Sequence, residues 1–112
     1  MTFANTTEFF INQSVDAVSA VLVTDRRTDD TGRFLVEYEG LVGDADVQIE
    51  GRVNKNFTFY SLLAGGAPIT VADVVAATTV VLRTVTLMPE MRVRILNATA
   101  APAPVLNIAL VE

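Results

Sequence analysis

The chain has 112 residues, 51% hydrophobic and 19% charged, with a formal charge of −5 and no cysteine, histidine or tryptophan. Those absences exclude disulfides, thiolate and imidazole metal sites and the usual thiol or imidazole catalysts. The acidic balance makes nucleic acid and anionic membranes poor partners.

At this length one domain with a modest core is expected. A charged share below the usual ~25% means either a large interior or surface hidden against neighbours. Self-association or docking on a larger assembly is therefore expected.

Taken in order, the first fourteen residues carry Phe3, Phe9, Phe10 and Ile11. Phe9 and Ile11 alternate on a first strand over Thr6–Gln13, and Phe10 points the other way. A segment apolar on both sides must be covered on both sides. It is either a strand within its own domain, the favoured expectation, or an arm docking on a neighbouring subunit. No basic run or apolar core marks a signal peptide, and no stretch is long enough to span a bilayer. The chain is expected to be made in the cytoplasm and used without export by the usual signal.

Ala17–Thr24 reads as a second strand, and Asp25–Gly32 as a polar connection. In Arg33–Glu39, Phe34, Val36 and Tyr38 share one face and Leu35, Glu37 and Glu39 the other.

The stretch Ala45–Leu63 reads as a hairpin turning through Asn54-Lys55-Asn56. Val47, Ile49, Gly51 and Val53 alternate with Asp46, Gln48, Glu50 and Arg52, the period of a half-buried strand. A three-residue link with a left-handed Asn56 would set Val53 opposite Phe57 and lay Phe59 over Gly51. Glu50 would then meet Tyr60 across the outer face, and Arg52 would meet Thr58.

Ala64–Pro68 is a loop by composition, and Thr70 and Asp73 suggest a capping box for one helical turn over Val71–Ala77. Thr78–Leu87 is a long β-branched strand without clean alternation, as if covered on both faces or bulged. Glu90–Leu96 places Met91, Val93 and Ile95 inward and Arg92 and Arg94 outward. Asn97–Pro104 is a loop, and Val105–Val111 a last strand with Leu106, Ile108 and Leu110 inward. About eight strands at this spacing predict an all-β fold, an antiparallel β-sandwich or jelly-roll-like domain.

Candidate chemistry is sparse. Glu37 and Glu39 lie about 7 Å apart on one strand face, a spacing between those of the two glycosidase classes, but a solvated face explains them better. Asp25, Asp29 and Asp30, and Asp44 with Asp46, match no calcium loop and suit turns. Arg92 and Arg94 form a short basic stripe that would pair with carboxylates on an adjacent strand or with a partner. Tyr38 and Tyr60 are the tyrosines that could stack a sugar ring. No catalytic set, cofactor site or metal site is expected.

Three segments carry a resemblance: Val47–Leu63 (VQIEGRVNKNFTFYSLL), Pro89–Thr99 (PEMRVRILNAT) and Val105–Glu112 (VLNIALVE). A V-x-[IV]-E-G strand, a short Asn turn, an aromatic strand, a P-x-x-R-V-x-[IV] strand and a terminal alternating strand resemble the small β-sandwich virion proteins of tailed bacteriophages. These are the capsid decoration (cement) and head- or tail-fibre proteins.

The resemblance implies a non-enzymatic virion component, often a trimer, that binds the outer capsid surface and bridges major capsid protein subunits. A glycan- or receptor-recognition module of a fibre, or a neck or tail ring subunit, are the alternatives. The interaction residues expected are Phe3, Phe9, Phe10, Ile11, Tyr38, Glu50, Arg52, Tyr60, Arg92 and Arg94.

Overall fold

A computed structural model describes residues 6–24, 31–76 and 79–111, the side chains of 75 and 76 aside. The strands are β1 (Thr6–Gln13), β2 (Ala17–Val18), β3 (Leu22–Val23), β4 (Thr31–Tyr38), β5 (Asp46–Arg52), β6 (Tyr60–Ser61), β7 (Val80–Thr86), β8 (Glu90–Leu96) and β9 (Leu106–Val111). Among the described residues one short α-helix, α1 (Val71–Ala76), precedes β7. As expected at its start, the Asp73 carboxylate accepts the Thr70 backbone N–H at 2.9 Å, half of a capping box.

The strands form two antiparallel sheets, one ordered β1-β9-β4-β7 and the other β2-β8-β5-β6, with β3 also pairing with β8. The pairs nest: Thr6 lies opposite Val111, Ala17 opposite Ile95, Phe34 opposite Arg83 and Gly51 opposite Tyr60. The chain is thus one long ribbon doubled back at residues 53–57 and rolled so that β9 meets β4 and β8 meets β5. That is the jelly-roll form of the β-sandwich.

The core lies between the sheets. Phe34, Val36 and Tyr38 from β4 and Leu106, Ile108 and Leu110 from β9 face Val47 and Ile49 from β5 and Met91, Val93 and Ile95 from β8. Each fully buried aliphatic side chain contributes about 1.5–3 kcal/mol. The period-two alternation of β5, β8 and β9 is the direct cause of this layering.

Three local expectations are corrected. The turn of the β5–β6 hairpin is closed by Asn54, not by a left-handed Asn56. The Asn54 carbonyl accepts the Phe57 N–H at 3.0 Å and its side-chain oxygen accepts the Asn56 N–H at 2.9 Å. Pairing stops at Arg52 and resumes only at Tyr60, with the register shifted by one residue, which moves each returning side chain to the other face. Tyr60, not Phe59, stands opposite Gly51. A Cβ at Gly51 would meet Met88 at 2.7 Å and Leu62 at 3.0 Å.

Ala17–Thr24 is not one strand. Between Val18 opposite Arg94 and Leu22 opposite Met91, the chain bulges at Ser19-Ala20-Val21. The Ser19 hydroxyl accepts the Val93 N–H at 2.9 Å, and the Ser19 N–H donates to the Val93 carbonyl at 2.9 Å.

The β7 strand is neither bulged nor covered on both faces. It is an edge strand in unbroken register with β4, with Val81 and Val85 buried and Leu82, Thr84 and Thr86 exposed.

The apolar stretch Phe9-Phe10-Ile11 lies, as favoured, on a strand of its own domain, β1, paired with β9. Register shifts between Glu8 and Phe10 and between Phe10 and Gln13 bring both Phe9 and Phe10 against the core. The Phe9 ring centroid is 5.5 Å from that of Phe34.

A glycine holds the crossover from β4 to β5 against the loop before β9. Gly43 has φ +72, and a Cβ there would stand 2.6 Å from the Pro104 nitrogen and 2.7 Å from the Pro102 oxygen. No other residue fits that approach.

Candidate interaction face

The outward face of the β2-β8-β5-β6 sheet is built by the same alternation that fills the core. On β8, Glu90, Arg92 and Arg94 point away from the core, and on β5 so do Gln48, Glu50 and Arg52. The register places Arg92 opposite Glu50, Arg94 opposite Gln48 and Arg52 opposite Glu90.

Arg92 Nε donates to Glu50 Oε1 at 2.8 Å and Arg94 Nη1 to Glu50 Oε2 at 3.4 Å. Arg52 Nε donates to Glu90 Oε1 at 2.7 Å. Glu50 is only 8% exposed although it lies on the outer face, because the arginine stems fold over it.

Phe59 completes the cluster. The guanidinium carbons of Arg52 and Arg92 lie 4.3 and 4.0 Å from its ring centroid, within cation–π range. Beside it, the Ser61 hydroxyl donates to Gln48 Oε1 at 2.8 Å, and Gln48 Nε2 donates to the Gly66 carbonyl at 2.9 Å. Three arginines meet two glutamates in the cluster, and Asp46, of the same outward parity on β5, balances the charge of the face.

Apolar side chains border the cluster. Val18 lies opposite Arg94 and Val23 opposite Glu90, and both are exposed, as are Val15 and Val21. A small crevice of about 170 Å³ opens between β1 and the bulge, lined by Thr7, Phe9, Ser19, Ala20, Val21 and Leu22.

The expected interaction residues fall into three groups. Glu50, Arg52, Arg92 and Arg94 are brought together in the cluster, although Glu50 is closed off beneath its arginines. Ile11, at 55% exposure, and Tyr60, at 51%, stand on the surface outside the cluster. The Tyr60 hydroxyl donates to Met88 Sδ at 3.5 Å. Phe9 and Phe10 are spent on the core, and Phe3 lies outside the described residues.

Tyr38 is a correction. It is fully buried, and its hydroxyl donates to the Ala45 carbonyl. Burial pushes its phenol well above the usual range, and the negative charge of Asp44 pushes further the same way.

Phe59 and Glu90 were missed. Glu90 was legible from its shared parity with Arg92 and Arg94. Phe59 was hidden because its face depends on the turn register.

The carboxylates weighed as ligands brace the fold instead. Asp44 Oδ1 accepts the N–H of Ala45 at 2.8 Å and of Val71 at 3.3 Å, and Asp46 Oδ2 accepts Asn97 Nδ2 at 2.9 Å. Glu37 Oε1 accepts Asn107 Nδ2 at 2.8 Å. Asp25, Asp29 and Asp30 lie outside the described residues. Among the described residues, no group of three or more acidic side chains is placed to hold a metal ion, and no helix is long and apolar enough to cross a membrane.

No family model, curated protein or solved structure matches the chain.

Proposed function

We propose that this protein is a non-enzymatic structural component of a tailed-phage virion. In this reading it is a capsid decoration or cement protein that self-associates and binds the outer surface of the head, against the major capsid protein.

The observation that carries the proposal is the face just described. An arginine–phenylalanine cluster is edged by exposed Val18, Val21 and Val23, which no described part of the chain covers. Arginine and aromatic residues are enriched, and loose carboxylates depleted, where proteins bind proteins. Here both carboxylates of the cluster are already neutralised within it. The strand segments that resemble decoration proteins include both β5 and β8, which build this face. The jelly roll is also an architecture used by capsid and lectin domains, a likeness at the level of fold.

The test is a particle assembled without the protein. Such particles lose resistance to heat and osmotic shock, and adding the purified protein restores it. Particles equally robust with and without it would contradict cementing.

One observation favours a second reading, recognition of a surface polysaccharide by a fibre. Tyr60 and Phe57 are both exposed by the hairpin turn, where aromatic rings could stack on sugar. A glycan array without signal above background counts against that reading.

A further inference from the structure

A sheet edge presents unpaired N–H and C=O groups, and natural proteins blunt their edges by shortness, bulges, prolines or charge. Three of the four edges here are blunted. The β6 strand has two residues, the β2–β3 edge is broken by the bulge at Ser19–Val21, and β1 carries two register shifts and a left-handed Asn12 at φ 54.

The β7 edge has one of these devices, the charge of Arg83, and that side chain is drawn toward Asp73 of α1. Its seven residues pair with β4 without a shift. It contains no proline or lysine, and Leu82 is 46% exposed.

The hydrogen bonding shows which groups of β7 are free. The Tyr38 N–H donates to the Thr79 carbonyl at 3.1 Å, whereas the Glu39 N–H donates to the Val105 carbonyl at 2.8 Å. Even-numbered residues of β4 therefore bond to β7, and odd-numbered ones to β9. On β7 the odd-numbered residues bond inward to β4, and the N–H and C=O of Val80, Leu82, Thr84 and Thr86 point away from the sheet. Among the described residues no backbone group bonds to these four from outside. The Leu82 carbonyl has only a long 3.5 Å contact from its own neighbour, Arg83 Nη1.

We infer that β7 pairs antiparallel with β7 of a second copy of this chain, about a two-fold axis at Leu82, joining the two β1-β9-β4-β7 sheets into one. The side chains favour a second copy in this register over the neighbouring one. Centring the axis on Arg83 sets two arginines directly opposite, a destabilising pair. Centring it on Leu82 sets Val80 opposite Thr84 and moves each Arg83 opposite Val81 of the other copy.

The cross-strand row Ala109–Leu35–Leu82 then continues into the same row of the second copy, an unbroken apolar ladder over the join. Arg83 leans away from it, toward Asp73 of α1 at 3.8 Å. The strand is complementary to itself, and the joined sheet retains only blunted edges. The inference stands apart from the virion reading. A trimer, the order implied by the resemblance, would need another surface.

The test is the mass of the whole chain in solution, measured by sedimentation equilibrium over a range of concentrations. The expected species is twice the 12.0 kDa chain. Leu82→Lys, and separately Thr84→Lys, each raise the dimer dissociation constant about tenfold or more with unchanged circular dichroism. Ile11→Lys, on a blunted edge, leaves it unchanged. A 12.0 kDa monomer at every concentration, a trimer, or an assembly indifferent to both lysine variants would overturn the inference.

Discussion

Arg92 stacks on Phe59, its guanidinium carbon 4.0 Å from the ring centroid, while its Nε is bonded to Glu50 at 2.8 Å. The ring thus lies on the arginine that covers a nearly buried carboxylate. Phe59→Ala is expected to lower stability by about 1–2 kcal/mol, with Phe59→Leu losing less, as read from urea midpoints. Equal stability of all three proteins would mean that the stack contributes nothing.

The Glu50–Arg92 pair is coupled in the same way. Glu50→Ala and Arg92→Ala, made singly and together, are expected to give a coupling energy of about 1–3 kcal/mol. Arg92 is partly exposed, so the coupling falls in the lower half of that range. A coupling near zero would show that Glu50 is held by the fold alone.

This cluster marks the boundary of what the sequence discloses. Alternation alone placed Glu50, Arg52, Arg92 and Arg94 on one face, because strand geometry leaves each side chain no other direction. It could not place Phe59. That depends on whether Asn54 or Asn56 closes the turn, a choice between two local hydrogen-bonding patterns with the same composition. The split of Ala17–Thr24 was equally hidden, since it needs the Ser19 hydroxyl to replace a ladder bond from Val93, more than seventy residues away. Phe9 and Phe10 looked incompatible with a single buried face until the bulges of β1 reconciled them.

Gly43 and Gly65 separate two costs of a left-handed glycine. Both have positive φ, but a Cβ at Gly65 meets nothing within 4 Å, whereas one at Gly43 meets the 102–104 backbone. Gly65→Ala is expected to cost about 1 kcal/mol and Gly43→Ala at least about 2 kcal/mol. Similar losses at the two positions would contradict the close approach of the loops.

Tyr38 makes stability depend on alkaline pH. An unfolded tyrosine ionises near about 10, while the buried, Asp44-flanked phenol in the folded protein holds its proton higher. The unfolded state therefore loses its proton first. The stabilisation is fully present below about 10 and declines as the pH rises above it. Tyr38→Phe is expected to cost about 1 kcal/mol at neutral pH through the lost bond to Ala45. Between about pH 8 and about pH 11, its urea midpoint falls less than that of the unmodified protein. Parallel curves would contradict the assignment.

The proposal that this protein coats a capsid is tested most directly by electron cryomicroscopy of particles made with and without it. The predicted result is density for the two-sheet jelly roll at regular positions on the outer capsid lattice, absent from the deletion particles, with the β2–β8 face turned toward the coat. Density at a fibre tip or within a tail ring, or identical capsid surfaces in the two preparations, would contradict it.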